Sequence, residues 1–178
     1  MSYYWQMFSA ALLMLLYSVF PSSEDLMYFP SGSNRDSLSI PVLNYDQLKP
    51  MLEADNDTTY VFNFWATWCV PCVKELPYFI QLDSLYGQEP FRLVLVSLDF
   101  KKDYLRKLQP FVKEKGLEDH VLILEDNRSN YWIADIDKSW GGSIPATLVI
   151  KGKQRSFYER TFHHVDELSD IVKPFLNQ

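Results

Sequence analysis

The stretch that decides the fold is Trp-Ala-Thr-Trp-Cys-Val-Pro-Cys at residues 65–72. It holds both cysteines of the chain, Cys69 and Cys72, with two residues between them. A nearly continuous apolar run at residues 59–65 leads into it, as is typical of a strand buried on both faces. A helical pattern at residues 70–86 follows. The sequence therefore predicts a cysteine pair at the turn between a buried strand and a helix N-terminus, able to form and break one disulfide.

The rest of the chain alternates helical and strand patterns, which indicates an α/β fold. A helix predicted at residues 102–115 is amphipathic, and we expect Leu105 and Leu108 on its buried face. A turn at residues 151–153 is predicted to join the two strands of a hairpin. In chain order the predicted elements are a helix at 45–54, strand 59–65, helix 70–86, strand 91–98, helix 102–115, strand 121–124, helix 129–137, hairpin strands 146–150 and 155–160, and a helix from Val165.

The N-terminal segment is expected to lie apart from the folded domain. Residues 8–20 resemble the apolar region of a signal peptide, which makes residues 1–20 a cleaved signal or a retained membrane anchor. The alternative is a segment buried in the protein. Residues 21–43 have the composition of a linker, and residues 44–178 form one domain. A signal or an anchor places that domain outside the cytoplasm, in the periplasm or at the outer face of the membrane.

Composition limits the function classes. The 178 residues suffice for about one domain after the N-terminal segment, and 47% are apolar, enough for a core. The net charge of −6 argues against a general nucleic-acid partner.

Cys69 and Cys72 have different expected roles because they occupy different places on the helix. A thiolate is the attacking species, and a free cysteine is mostly protonated at neutral pH. Unpaired N–H groups and the positive end of the helix dipole lower the pKa of Cys69 at the helix start. Cys72, one turn further and more buried, can attack a mixed disulfide formed at Cys69. Pro71 is tolerated between them because its missing N–H would be unpaired anyway, and with Val70 it keeps the first turn compact.

A structural disulfide and a zinc site each account for the cysteine pair less well than redox chemistry does. A purely structural disulfide gains little stability from such a short loop. A zinc site needs about four ligands, and outside the cysteines only His120, His163 and His164 are soft ligands. We therefore expect redox chemistry and no metal at this site, although a metal chaperone using both cysteines and one histidine remains an alternative.

The run Trp-Ala-Thr-Trp-Cys-Val-Pro-Cys-Val-Lys-Glu-Leu-Pro at residues 65–77 resembles the active site of the thioredoxin superfamily, most closely its TlpA/ResA-like membrane-associated branch. The resemblance covers residues 44–178. It implies a thioredoxin fold, a central mixed sheet flanked by helices, with an inserted strand and helix at residues 121–137. It also implies Cys69 as nucleophile and Cys72 as resolving cysteine, in agreement with their positions, and we expect no cofactor.

Residues 143–147, Ser-Ile-Pro-Ala-Thr, match the cis-proline loop of this family. The resemblance implies a cis bond between Ile144 and Pro145, and a proline that keeps metals from bridging the two thiols. The Ile144 backbone could pair with an extended substrate, as in strand addition. Together with Trp68 before the nucleophile, and with Val70 and Pro71 between the cysteines, these residues form the expected substrate-binding surface.

Glu75 is the candidate acid or base for the proton of Cys72. Many thioredoxins carry a buried Asp on the strand before the motif, and this chain has Asn63 there, which cannot hold a proton at neutral pH. Glu75 lies one turn past Cys72 and can serve instead. The alternative is a glutamate on the helix surface, in solvent. The TlpA/ResA-like pattern, with Asn upstream and Glu downstream, supports the active role.

The chain departs from the family before the last helix. Phe162, His163 and His164 stand where the family usually has a Gly beside the active site. A histidine there either tunes Cys69, binds a metal, or lies in a solvated loop, and we favour the last. Trp140 is either a lid over the disulfide or ordinary packing.

These expectations together predict an extracytoplasmic thiol–disulfide oxidoreductase. The branch resemblance favours a reductant of protein disulfides, serving cytochrome c maturation or the rescue of oxidised cysteines. It also implies an upstream thiol–disulfide electron donor in the membrane, with membrane association through the N-terminus. A disulfide oxidase or isomerase of secreted proteins is the alternative enzyme, because reduction potential decides the direction.

Overall fold

The computed structural model describes residues 39–176 of the chain. The predicted signal or anchor at residues 1–20 lies outside the described residues, and so does most of the predicted linker. None of the helices within residues 39–176 is long and apolar enough to cross a bilayer.

A mixed sheet of six strands forms the centre of the described part of the chain. Its spatial order is β1-β4-β3-β2-β5-β6. The first four strands in that order run parallel, and the last two are antiparallel to their neighbours. The strands are β1 (Val42–Leu43), β2 (Thr59–Trp65), β3 (Phe91–Ser97), β4 (Val121–Leu124), β5 (Ala146–Lys151) and β6 (Gln154–Tyr158).

Strand β2 lies inside the sheet, and all seven of its residues are buried. This confirms the prediction from the continuous apolar run, because a strand with neighbours on both edges and helices on both faces has no polar side. Strand β4 belongs to the segment predicted as an insertion, and it lies between β1 and β3. The expected thioredoxin fold with an added strand and helix is thus confirmed.

Five α-helices belong to residues 39–176: α1 (Tyr45–Leu52), α2 (Val70–Tyr86), α3 (Gln109–Lys115), α4 (Ser129–Ile136) and α5 (Val165–Leu176). Helix α2 has the predicted bounds, begins directly after Cys69 and carries Pro71 in its first turn. Helix α1 begins at a capping box in which Asn44 and Gln47 each accept a hydrogen bond from the backbone N–H of the other.

The segment predicted as one helix at residues 102–115 is irregular in its first half. A 3₁₀ turn (Lys101–Asp103) and a π turn (Tyr104–Leu108) precede α3. Leu108 is fully buried, but Leu105 is 73% exposed, so the prediction that both share the buried face is wrong. A π turn has more residues per turn than an α-helix, which rotates Leu105 away from the face that Leu108 and Val112 bury.

The two faces of β2 pack against different helices, because successive side chains of a strand point to opposite sides. Val61 and Trp65 belong to the apolar core that α2, α3 and α5 cover. On the other face, the ring of Phe64 packs on Trp140, which also contacts Trp132 of α4. Trp140 is 5% exposed, so it is a packing residue rather than a lid. Asn63 lies on the same face as Val61 and Trp65, where it is a buried polar residue on a mainly apolar surface.

Candidate active site

The two cysteines are joined by a disulfide at the N-terminus of α2, with an S–S distance of 2.01 Å. Cys69 is the N-cap residue, and its Sγ accepts a hydrogen bond of 3.3 Å from the backbone N–H of Cys72. Cys69 is 6% exposed and Cys72 is fully buried. A sulfur in this position faces the unpaired N–H groups and the positive end of the helix dipole, which stabilise a thiolate. The less buried of the two cysteines is therefore also the one best placed to carry negative charge.

Asp99 holds the turn that leads into the disulfide. Its carboxylate accepts hydrogen bonds from the backbone N–H and the hydroxyl of Thr67, and from the hydroxyl of Ser97. Asp99 is 3% exposed, so these bonds are shielded from solvent. Sequence reasoning missed this residue. The sequence contained a signal for it. Asp99 follows β3, and the carboxyl ends of the parallel neighbours β2 and β3 lie at the same edge of the sheet, which places Asp99 beside the turn before the cysteines.

The cis-proline loop meets the disulfide from the other side. The Ile144–Pro145 peptide bond is cis, as the resemblance implies. The carbonyl oxygen of Ile144 lies 3.7 Å from Cys69 Sγ. Two predicted site residues that are 75 positions apart in the chain are thus in contact.

Glu159, directly after β6, anchors the segment before the cis-proline. Its carboxylate oxygens accept hydrogen bonds of 2.8 Å from the backbone N–H groups of Gly141 and Ser143. These two bonds lower the pKa of Glu159, because they stabilise the charged form. Gly142, between them, has φ = 91°, a conformation that side-chain-bearing residues rarely adopt. Nothing in the local sequence pairs Glu159 with this loop, and it was not predicted.

Glu75 is fully buried one turn past Cys72, so the alternative of a solvated surface glutamate is wrong. Its Oε1 accepts a hydrogen bond of 2.9 Å from Asn63 Nδ2, and its Oε2 accepts one of 2.8 Å from the backbone N–H of Phe162. Burial raises the pKa of Glu75 to about 7, and the two hydrogen bonds and the charge of Arg160 partly oppose this rise.

Asn63 also donates to Thr147 Oγ1 at 3.2 Å, across the β2–β5 pair. Its Oδ1 is buried, and no hydrogen-bond donor lies within reach among the described residues. The amide therefore donates hydrogen bonds to both Glu75 and Thr147, and it ties the Glu75 side chain of α2 to the middle of β2.

The Phe-His-His segment before α5 divides into a buried and an exposed part. Phe162 is fully buried, and its ring packs edge-on to Phe79 and lies under the guanidinium of Arg160 at 4.2 Å. His163 and His164 are exposed. Within residues 39–176, no three His, Cys, Asp or Glu side chains converge into a set that could hold a metal ion. The segment thus contributes a backbone donor to Glu75 rather than an imidazole to the disulfide.

Exposed apolar residues surround the disulfide. Trp68 and Val70 are 50% and 63% exposed, and Pro71 is also exposed. Beside the last two residues lies a groove of about 340 Å³. Its lining residues are Val70, Pro71, Lys74, Tyr78, Thr161, Phe162 and His163. Of the predicted substrate-binding residues, Trp68, Val70 and Pro71 are thus exposed beside Cys69, Ile144 is half-buried, and Pro145 is buried.

Sequence comparison relates most of the chain to known redox proteins. Residues 43–154 match the Redoxin family. A thiol-disulfide oxidoreductase ResA from Geobacillus thermodenitrificans is 33% identical over 117 residues, which cover 63% of this chain and 62% of the relative. A ResA from Oceanobacillus iheyensis is 49% identical over 39 residues, 22% of this chain and 20% of the relative. The chain therefore matches less than two thirds of the length of either protein.

Solved structures share the fold at low sequence identity. A thioredoxin-family thiol:disulfide interchange protein from Chlorobium tepidum has a TM-score of 0.58 and 22% identity, covering 72% of this chain and 84% of that chain. A secreted thiol-disulfide isomerase from Corynebacterium glutamicum has a TM-score of 0.56 and 19% identity, covering 69% and 73%. A secreted disulfide oxidoreductase from Mycobacterium tuberculosis, homologous to DsbE of E. coli, has a TM-score of 0.51 and 20% identity, covering 67% and 84%.

Proposed function

Because this chain belongs to the Redoxin family, in the TlpA/ResA-like branch of the thioredoxin superfamily, we propose that it is a thiol–disulfide oxidoreductase acting on protein disulfides. The observation that carries the proposal is the Cys69–Cys72 disulfide at the start of α2, in which Cys69 retains 6% exposure and Cys72 is fully buried. That asymmetry gives the two sulfurs different tasks.

The reaction is a pair of thiol–disulfide exchanges. In the reduced protein, the Cys69 thiolate attacks a substrate disulfide, and one substrate sulfur leaves as a thiolate that takes up a proton. Cys72 then loses its proton and attacks Cys69 Sγ, which releases the second substrate thiolate and closes the Cys69–Cys72 disulfide. Two electrons pass from the dithiol to the substrate. The N–H of Cys72, which faces Cys69 Sγ, stabilises the negative charge on that sulfur.

Glu75 serves as the general base for Cys72 in the second exchange. The Cys72 thiol is buried, so water cannot take its proton directly. A general base works best when its pKa lies near the working pH, and burial raises the pKa of Glu75 to about 7. The hydrogen bonds from Asn63 and Phe162 stabilise the carboxylate, so that Glu75 can be charged at neutral pH despite its burial.

The substrate binds as an extended segment across Cys69. The Ile144 backbone, 3.7 Å from Cys69 Sγ at its carbonyl oxygen, offers main-chain groups for strand-like pairing. Pro145 follows it, and Trp68, Val70 and Pro71 supply exposed apolar surface on either side of the sulfur. Pairing along Ile144 would hold a substrate cysteine in line with the Cys69–Cys72 bond.

We further propose that the protein works outside the cytoplasm as a reductant, with cytochrome c maturation as a candidate pathway and a membrane thiol–disulfide protein as its electron donor. Support comes from the apolar segment at residues 8–20 and from the branch resemblance. Similar folds are described as secreted in C. glutamicum and M. tuberculosis.

A trapping experiment in the native compartment tests the activity. The variant Cys72→Ser should accumulate a mixed disulfide between Cys69 and its substrate, which mass spectrometry identifies after purification without reductant. Cys69→Ser is the matched control and should trap nothing. If the two variants behave alike, the assignment of the nucleophile is wrong.

The reduction potential of the Cys69–Cys72 pair decides whether the protein donates electrons to its substrate or accepts them. A value near thioredoxin's, about −270 mV, indicates a reductant, and one near about −120 mV indicates an oxidase.

A further inference from the structure

Two large aromatic rings beside the nucleophilic cysteine stack on each other in solvent. The ring centroids of Trp68 and Phe100 are 6.0 Å apart, with an angle of 18° between the ring planes. Trp68 is 50% exposed and Phe100 is 58% exposed. Adjacent exposed apolar groups of this size typically mark a contact surface for another molecule. Because Trp68 immediately precedes Cys69, this pair lies next to the reacting sulfur.

Apolar surface continues on the other side of the disulfide. Val70 and Pro71 line the groove that extends to Tyr78. Phe100, Trp68, Val70, Pro71 and Tyr78 therefore form a strip that passes over the Cys69–Cys72 turn, and we call it the docking strip.

Each end of the docking strip carries a lysine. Lys102 Nζ lies 5.5 Å from the centroid of the Phe100 ring, and Lys74 lines the groove with Tyr78. Neither lysine takes part in the ion pairs found within residues 39–176. The chain as a whole has a net charge of −6. The two lysines therefore make both ends of the strip positive, although the net charge of the protein is negative.

The carboxylates close to the strip do not cancel these two charges at the surface. Glu75, Asp99 and Asp103 are each at most 3% exposed. Glu125 pairs with Lys101 at 2.8 Å, and Asp103 lies within 4 Å of Arg106 and Lys107. Near the disulfide, the exposed carboxylate of Glu159 accepts hydrogen bonds from the backbone of Gly141 and Ser143. Along the strip itself, an approaching partner meets mainly aromatic rings and ammonium groups.

We propose that the docking strip binds an extended polypeptide segment in which the disulfide-bonded cysteine is flanked by large apolar side chains and, beyond them, by acidic side chains. This inference rests on the proposed function and names its substrate class. With the substrate backbone along Ile144, alternate side chains of an extended segment point toward the protein. Apolar side chains then contact the Trp68–Phe100 pair and the groove, and acidic ones approach Lys102 and Lys74. Complementary charge raises the rate of encounter and selects among partners.

Model peptides test the preference directly. Each peptide carries one cysteine, blocked as a mixed disulfide with a chromophoric thiol and flanked by Leu and Trp. The outer positions hold Glu in the first peptide, Gln in the second and Lys in the third. The rate constant for release of the chromophore by the reduced protein is measured at low and high salt. We expect the Glu peptide to react about tenfold faster than the Gln peptide at low salt, with the Lys peptide slowest. High salt should reduce the differences.

Variants locate the effect on the surface. In the double variant Lys74→Gln/Lys102→Gln, the rate ratio of the Glu peptide to the Gln peptide should fall to about one. The matched control is Lys113→Gln/Lys153→Gln, which makes the same charge change at the end of α3 and in the β5–β6 turn and should keep the wild-type ratio. Phe100→Ala should slow all three peptides by a similar factor, because it removes apolar contact and no charge.

Equal rates for the three peptides, or equal ratios in the two double variants, would overturn the proposal. A different outcome would reassign the strip to a membrane surface. In that case the wild type binds vesicles containing anionic lipid, Lys74→Gln/Lys102→Gln does not, and the peptides show no preference.

Reduction of the small neutral hydroxyethyl disulfide is measured in parallel. If the wild-type protein reduces neither this disulfide nor any of the peptides, the proposed function is wrong. If it reduces them but shows no charge preference among the peptides, only the docking proposal fails.

Discussion

Asn63 Nδ2 donates a hydrogen bond of 2.9 Å to Glu75 Oε1, and both side chains are fully buried. The bond joins the middle of β2 to the second turn of α2. An amide carries no titrating proton, so Glu75 is the acid of this pair. The pKa of Glu75 is thus set by two opposed effects, burial that raises it and donors that lower it.

Replacing the carboxyl of Glu75 should slow the resolving step. In Glu75→Gln we expect single-turnover reduction of a protein disulfide at pH 7 to fall by about 10²-fold, because Cys72 loses its base. The pH dependence centred near 7 should also disappear. Stopped-flow fluorescence over pH 5–9 measures both. Glu114→Gln, an exposed change on α3, is the control. A wild-type pH profile in Glu75→Gln would contradict the assigned role.

Removing the donor at position 63 should raise the pKa of Glu75 above about 7, since the hydrogen bond from Asn63 favours the charged form. The variant is Asn63→Ala, and a carboxyl-selective NMR titration of the disulfide form gives the pKa. Thr147→Val is the matched control, because it removes the other partner of the amide and leaves the bond to Glu75 in place. A pKa of Glu75 that stays the same or falls in Asn63→Ala would contradict the role of the Asn63 hydrogen bond in favouring the charged form.

Glu75 should make the disulfide form less stable as pH rises. Its folded pKa of about 7 exceeds the ordinary unfolded value of about 4.3, so the folded state binds more protons between these values. Its contribution to stability is complete below about pH 4.3 and is lost as pH rises through 7, a change of roughly 4 kcal/mol.

Urea unfolding of the wild type and of Glu75→Gln between pH 4 and pH 8 measures this change. The difference between the two free energies of unfolding isolates Glu75, because all other titrating groups are common to both proteins. The wild type should lose stability relative to the variant as pH increases. A difference that does not change with pH would show that the pKa of Glu75 is the same in the folded and unfolded states.

Loss of Asp99 should loosen the turn before Cys69. In Asp99→Ala the backbone N–H of Thr67 and the hydroxyl of Ser97 lose their acceptor. We expect a loss of about 1–3 kcal/mol in the free energy of unfolding and a slower attack by Cys69. Urea titration and the rate of mixed-disulfide formation provide the two readouts. Asp119→Ala, at an exposed position, should change neither.

Local patterns accounted for the elements that position the cysteines. Strand β2 and helix α2 have the predicted bounds, since a continuous apolar run and a cysteine at the N-cap are signals contained within a few residues. The prediction failed at Leu105, where a π turn interrupts the helix. A helical periodicity assumes constant rotation per residue, and packing of the segment against the fold changed that rotation.

The sequence by itself determined the reacting pair, because Cys69, Cys72 and the start of α2 lie within one turn of backbone. It also determined that Asn63 and Glu75 occupy positions where they could replace a buried Asp. Only the tertiary structure decided that the Glu75 carboxyl is shielded from water. Its Oε2 accepts a hydrogen bond from the backbone N–H of Phe162, which is 87 residues away in the sequence. The groups that surround the carboxyl come from segments that meet only on folding. Desolvation depends on that whole environment, so the raised pKa is a property of the fold and not of the motif.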